Sequence, residues 1–367
     1  MFVIFQPLYL QQLGATPVLI GTILGISGIM MALAQIPAGF IADRIGPRPL
    51  MFASWVFGTI ATLLMAFAPS LPWFVAAMLF FGLTSFVIAP MNAYIVSKRG
   101  KFSVERVLTL VSAMYQIGAV IGPILGGALG TRFGLQAVYR YSAVIFFVST
   151  GIIFFIHKQD EVIHENLHLK GNLLRNPRFL AVLPVFFFTM FALYLPQPLT
   201  ANFLQNQHSL ALEQIGQLSA VGNLGNAIVS LALGSLNAGA GFLIGQAFMI
   251  VFTLMLWRGG SFPFYMLGYF FLGGYRLCRS MSLAFVRSLV HPADTGLAFG
   301  MVETVNALTI ILAPPLAGWL YSQNPLWIFT LSLGMTILFL GVNVFLLPWI
   351  RRSPPPYKSS KEFSNDA

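Results

Sequence analysis

Charge is what this sequence has least of. Only 8% of its 367 residues are Asp, Glu, Lys or Arg, against about a quarter in an ordinary soluble domain, and just ten residues are acidic. A chain so poor in charge, 57% hydrophobic and with a mean hydropathy of +0.81, is not built to fold in water. Its one cysteine, Cys278, excludes an intrachain disulfide and any C-x-x-C element. The five histidines (His157, His164, His168, His208 and His291) fall near segment ends or in loops and read as too scattered for a metal site, so no metal is expected. A G-x-x-x-x-G-K-[ST] phosphate loop is missing, which excludes direct drive by ATP, and so is a G-x-S-x-G nucleophile turn. Neither an enzyme nor a bound cofactor is expected.

Long apolar runs are what the sequence has instead. Eleven could cross a hydrocarbon core of about 30 Å as helices. They lie near 17–42, 49–67, 71–96, 106–130, 137–157, 179–204, 211–235, 241–257, 263–286, 295–320 and 325–347. All are far longer than the roughly ten residues of a barrel strand, so the fold class is an all-α membrane protein. Ahead of them, "MFVIFQPLYLQQLG" offers half a crossing and lacks the basic start and cleavage site of a signal peptide. It reads as the outer half of a first helix that begins outside this chain.

The net charge of +10 is mostly a topology signal. Fifteen of the twenty cations fall in loops on one side, Arg132 and Arg258 on the other, and Arg140, Arg276 and Arg279 inside apolar runs. The positive-inside rule makes the first side cytoplasmic, and no nucleic-acid partner is implied. The long polar stretch 158–178 splits the crossings into an N-terminal bundle (1–157) and a C-terminal bundle (179–348), and the proline-rich tail 349–367 reads as disordered. "GPILGG" (122–127) echoes "APPLAG" (313–318) at an offset of 191 residues, as in a duplicated transporter bundle.

Two short patterns stand out. The turn "GFIADRIGPR" concentrates Gly39, Asp43, Arg44, Gly46 and Arg48 between two crossings. Asp43 is poorly placed for its own helix dipole, which favours anions at the other terminus, so it is expected to serve a different helix. The second pattern is G-x-x-x-G-P-x-x-G-G, read as Gly118, Gly122, Pro123, Gly126 and Gly127. With Gly130 it makes a smooth ridge every four residues, expected to pack on the eighth helix near Gly216, Ala220 and Gly234.

The order of crossings, the central linker and both patterns resemble the major facilitator superfamily of secondary transporters, over nearly the whole chain. That resemblance implies two pseudo-symmetric six-helix bundles, with about eleven full crossings here plus a partial first helix. It casts the Asp43 turn as a latch onto the helix that begins near Thr295, closing the cytoplasmic side, with Arg44 and Arg48 holding Asp43, Glu105 or lipid phosphates. It associates the glycine pattern with antiporters. Two places depart from the family pattern: Ala238 stands where a second Asp43 would be, and Met78 where the fourth helix often carries an arginine.

Arg276 and Arg279 lie deep in the tenth crossing, and Glu303 is the one carboxylate inside a crossing. Arg279 and Glu303 sit about 12–13 Å from the same side, so a pair is expected, leaving Arg276 to face the central cavity. Three roles stay open for this trio: a fixed structural bridge, docking of an anionic substrate group on Arg276, and proton coupling at Glu303. Gln6, Tyr9, Asn92, Tyr194 and Gln197 are further polar candidates, and Pro196 and Pro198 are expected to break the seventh helix. The function expected is secondary transport of a small amphiphilic or anionic solute by a monomer in the cell membrane, with proton-coupled efflux as the direction of choice and membrane lipid as neighbour. Uptake is the competing direction. A non-transporting receptor or assembly factor on the same fold is the competing class.

Overall fold

In the computed structural model residues 1–98, 100–156, 173, 176–291 and 294–352 are described, and for 36–40, 42, 43, 89, 93, 105, 351 and 352 the backbone only. Every regular element among the described residues is helical. A short helix, α1 (Gln6–Gln12), precedes α2 (Pro17–Ile45), α3 (Pro47–Ala66), α4 (Leu71–Leu83), α5 (Ile88–Ser97), α6 (Val104–Phe133) and α7 (Leu135–Ile153). The second half holds α8 (Pro177–Tyr194), α9 (Thr200–His208), α10 (Leu212–Leu233), α11 (Ala238–Arg258), α12 (Phe262–Phe271), α13 (Gly273–Arg287), α14 (Thr295–Gln323) and α15 (Trp327–Arg352). Each of the eleven apolar runs corresponds to one helix or to two in line, although α7 ends at Ile153, short of the expected 157, which lies outside the described residues. The expected tail is one place where the boundary moves: α15 carries the helix to Arg352, past the expected end at 348, while 353–367 and most of the linker lie outside the described residues.

Three crossings are broken in mid-membrane, and each break has a local cause. Between α8 and α9, Pro196 and Pro198 remove two backbone donors, and a single 3₁₀ turn at Gln197–Leu199 takes up the change in direction. Ala192 O, the carbonyl that Pro196 leaves without its N–H partner, accepts from Ser332 Oγ at 2.7 Å, and within the break Thr200 Oγ1 donates to Pro196 O at 2.7 Å and Gln197 Nε2 to Leu193 O at 3.0 Å. Between α4 and α5 a 3₁₀ turn spans Thr84–Val87, where Ser54 Oγ donates to Thr84 O at 2.9 Å. Between α12 and α13 no proline intervenes. There Gly273 presses against α10, where an added Cβ would stand 2.6 Å from Gly225 O.

The two halves meet along two seams, α2 on α14 and α6 on α10. Both are made of glycine facing backbone. A Cβ on Gly21 would overlap Pro314 O, and one on Gly216 would overlap Pro123 O. Reciprocally, a Cβ on Gly318 would lie 2.5 Å from Pro17 O, and one on Gly127 would lie 2.7 Å from Leu212 O. The echoed segments therefore do the same job twice. Pro123 and Gly127 in one half correspond to Pro314 and Gly318 in the other, each proline presenting its carbonyl to a glycine across the seam and each glycine facing a carbonyl from the other side. With no hydrophobic force between helices in lipid, such close packing and Cα–H···O contacts are what hold them.

The glycine ridge of α6 is shared among several neighbours rather than laid on α10 as one stripe. The row that meets α10 is Ala119, Pro123 and Gly127, with Asn223 Nδ2 donating to Ala119 O at 2.9 Å. Gly122 and Gly126 instead receive Met1 and, at Gly126, Phe5. Gly118 has no atom within 4 Å of a built Cβ, and Gly234 meets only Ser230 of its own helix. The reason is geometric: residues four apart drift around a 3.6-residue helix, and the Pro123 carbonyl fixes which row faces the partner.

Polar contacts between the halves gather at the same end as the seams. Gln11 accepts from Asn202 Nδ2 at 2.6 Å and from Asn206 Nδ2 at 3.1 Å, and donates to Asn206 Oδ1 at 3.0 Å. Asn206 also reaches Tyr321 Oη at 3.3 Å, and the Glu213 backbone N–H donates to Thr131 Oγ1 at 3.1 Å. Toward the other end Gly296 and Gly300 of α14 have only open space at their Cβ positions. Gly21→Ala and Gly216→Ala are therefore expected to force the sealed end apart, at a cost of about 1–3 kcal/mol each. Gly118→Ala should leave it closed. Cross-linking of cysteines placed at Gln11 and Asn206, which touch across the sealed end, by a short bifunctional maleimide checks this, with slower cross-linking in the first two variants.

Candidate functional site

By hydropathy and length alone, nine segments among the described residues qualify as membrane spans. The crossings left out are α10 and the α12–α13 pair, and these supply most of the wall of a central cavity of about 390 Å³. A run that is apolar all round faces lipid or core, whereas a crossing that keeps polar groups needs water, a partner or a ligand for them. Leu272, Tyr275, Arg276, Arg279, Ser280 and Leu283 form one stripe down α12–α13. Asn226 from α10 and Gln197 from the break in the seventh crossing complete it. The other face of α13 is buried: Leu277, Met281 and Phe285 pack into the core, and Cys278 Sγ lies 3.3 Å from Phe242 O.

Arg279 and Glu303 are brought together across α13 and α14. Nη2 to Oε2 is 2.5 Å and Nε to Oε1 is 3.3 Å, a two-pronged contact that fixes the guanidinium plane. Both side chains remain about two-fifths exposed, so the pair borders open space rather than sealed core. Arg276, one position round the same stripe, makes no hydrogen bond or ion pair among the described residues. Its neighbour Tyr275 has a buried hydroxyl without a partner, and its ring lies 5.6 Å from that of Tyr194. Thus Tyr194 reaches the cavity through Tyr275, while Gln197 lines it directly.

Other sequence candidates fall elsewhere. Asn92 is exposed on α5, away from the lining set. Gln6 is buried, and Tyr9 packs in the first bundle against Phe74 and Tyr139, at 4.8 and 4.9 Å between ring centres. In the turn after α2, Gly46 adopts φ +78°, a conformation that excludes a side chain at little cost only for glycine. Arg48 lies over Phe52 at 4.9 Å and Arg44 is exposed. The environments of Gly39 and of the Asp43 and Glu105 side chains lie outside the described residues. Met78 is buried in the first bundle.

Asn226, Tyr275 and Ser280 are absent from the sequence-based candidates. For Tyr275 and Ser280 the signal was the spacing: 272, 275, 276, 279, 280 and 283 recur at three and four residues, which marks one helical face, whereas Asn226, alone on α10, had no such signal. The histidine reading also passes over one local pattern. Residues 164–168 read His-Glu-Asn-Leu-His, the H-E-x-x-H spacing that on a helix can present two zinc ligands. They lie outside the described residues.

The chain aligns with an uncharacterized MFS-type transporter of Methanocaldococcus jannaschii at 26% identity over 160 residues, 43% of this chain and 41% of that protein. It aligns with the multidrug resistance protein MdtG of Salmonella paratyphi A at 29% over 196 residues, 51% of this chain and 48% of that one. The matched stretch thus spans less than half the length of each of these curated relatives. A solved structure of the nucleoside transporter NupG superposes with a TM-score of 0.77 at 15% identity, covering 95% of this chain and 93% of that one, a likeness of fold. The Major Facilitator Superfamily family model matches residues 1–241 and 182–366. On that match, with its two seamed bundles and polar central cavity, the chain belongs to the Major Facilitator Superfamily of membrane transporters.

Proposed function

We propose that the protein is a secondary transporter that expels a small amphiphilic or anionic solute in exchange for protons, by alternating access between its two bundles. The observation that carries this reading is the cavity at mid-membrane with the unpaired Arg276 beside the Arg279–Glu303 pair, below a seam that closes one end. A sealed end and an unsealed one around a polar chamber are what one half-cycle of such a machine requires. Efflux is favoured by the glycine pattern in α6 and by the partial likeness to MdtG, a multidrug resistance protein. Uptake by the same cycle is the second reading.

Orientation follows from the cations. The loops at the open end carry Arg44, Lys98 and Arg287, and the sealed end carries Arg132 and Arg258, so the positive-inside rule makes the open end cytoplasmic. In that frame the Asp43 turn is the latch for the opposite state. The first turn of α14 begins at Thr295 with no side-chain cap from Asp294, so its N–H groups are available to a carboxylate when the cytoplasmic side closes. Glu303, the one carboxylate inside a crossing and the partner of Arg279 across α13 and α14, is the acid that carries the exchanged proton.

Proteoliposomes carrying the intact protein should move solute faster with a pH gradient than without. Glu303→Gln should abolish the gradient dependence and lower driven flux by at least about tenfold, as loss of an acid–base group does. Equal gradient dependence in both proteins would remove Glu303 from coupling. Asp43→Asn should shift the resting population toward the cytoplasm-open state by about 1–2 kcal/mol, read as faster labelling of a cysteine at Gly300 and faster cross-linking of cysteines at Gln11 and Asn206.

A further inference from the structure

The charge on the cavity wall does not balance. Arg276 and Arg279 contribute two positive charges and Glu303 one negative, and the pair Arg279–Glu303 is internally neutral. What remains is one guanidinium, Arg276, with no partner among the described residues. No carboxylate offsets it from the first half: Asp43 and Glu105 lie at the helix ends near one surface, and α2 to α7 carry no other acid within a crossing. An unpaired cation in mid-membrane is expensive, and a second unpaired group stands next to it. Tyr275 buries its hydroxyl with no acceptor. A buried donor without an acceptor costs about as much as a lost hydrogen bond, so the Tyr275 hydroxyl, with the exposed Arg276 guanidinium beside it, is poised for something that brings negative charge and acceptor oxygens.

Resting on the transporter reading, we infer that the transported solute is an amphiphilic monoanion. Its carboxylate, sulfonate or phosphodiester oxygens accept from the Arg276 guanidinium and the Tyr275 hydroxyl, with Gln197 and Asn226 as further polar partners. The apolar part lies along Leu272 and Leu283. In the state seen here, with the Glu303 carboxylate bound to Arg279, the arithmetic selects one negative charge: a monoanion brings the chamber to neutrality, a dianion overcompensates, and an organic cation adds a second unpaired positive charge beside Arg276. A volume of about 390 Å³ sits at the small end of ligand pockets and limits the solute to roughly the size of a bicyclic aromatic acid. It also explains why Arg279 is clamped from two sides while Arg276 is not: the clamped arginine cannot compete for the anion.

The test uses the full-length protein in nanodiscs and two matched series, naphthalene and decyl, each as carboxylate, primary amide, alkylammonium and dicarboxylate. Binding is measured by equilibrium dialysis. The monocarboxylates should bind at least about tenfold tighter than the amides and the ammonium compounds, and tighter than the dicarboxylates. Arg276→Gln should remove that preference, Arg276→Lys should restore part of it, and Tyr275→Phe should weaken the carboxylate about threefold without changing the melting temperature. An ammonium compound binding as tightly as its carboxylate, unchanged preference in Arg276→Gln, or no binding by either series overturns the monoanion assignment. The transporter reading fails separately, if cysteines at the two ends never exchange accessibility.

Discussion

Carbonyl against glycine is the contact on which the rest of this structure turns. Lipid offers helices no hydrophobic reason to associate, so two bundles can be held in register only by close packing, by hydrogen bonds or by both. Here Pro123 and Pro314 each aim their own backbone oxygen at a glycine of the other half. Proline suits this place because it is stiff and tolerated in membrane helices, and glycine suits the other side because nothing larger fits. The two seams are copies of one another, which keeps the sealed end pseudo-symmetric even though the cavity below is built almost wholly from the second bundle.

That lopsidedness has an energetic logic. The first bundle packs its interior with aromatic rings, Phe74, Tyr139 and Tyr9 in mutual contact, and carries no acid in the middle of a crossing. The second interrupts its crossings, with prolines at 196 and 198 and a glycine joint at 273, and each interruption places polar groups where a continuous apolar helix would have none. One bundle is filled with packed rings, and the other supplies the polar lining of the cavity. The Arg279–Glu303 pair gains little stability from a border so open to solvent, and its value is positional: it holds one arginine still beside another that is free.

Much of the fold could be read from residues alone, because length and apolarity are the properties that lipid selects. All eleven runs correspond to helices, and the broken seventh crossing follows directly from Pro196 and Pro198. The pairing of Arg279 with Glu303 was legible because depth along a helix is simple arithmetic at 1.5 Å per residue. Azimuth was harder. Which row of α6 meets α10 depends on the partner's backbone, so the evenly spaced glycines pointed to the right neighbour through the wrong stripe. Asn226 and Tyr275 were missed for a related reason: an amide or a phenol within a crossing is ordinary, and only the geometry shows which of them face the chamber.

The clasp of Gln11, Asn202, Asn206 and Tyr321 at the sealed end is assembled from neutral amides and a phenol. Nothing in it changes ionisation across the ordinary biological range, and nothing in it is shielded by dissolved ions as an exposed ion pair would be. The clasp itself therefore holds equally well in acid or alkaline, dilute or briny surroundings, and sensitivity of that end to the medium falls to its ionisable neighbours, His208, Glu213 and Arg132.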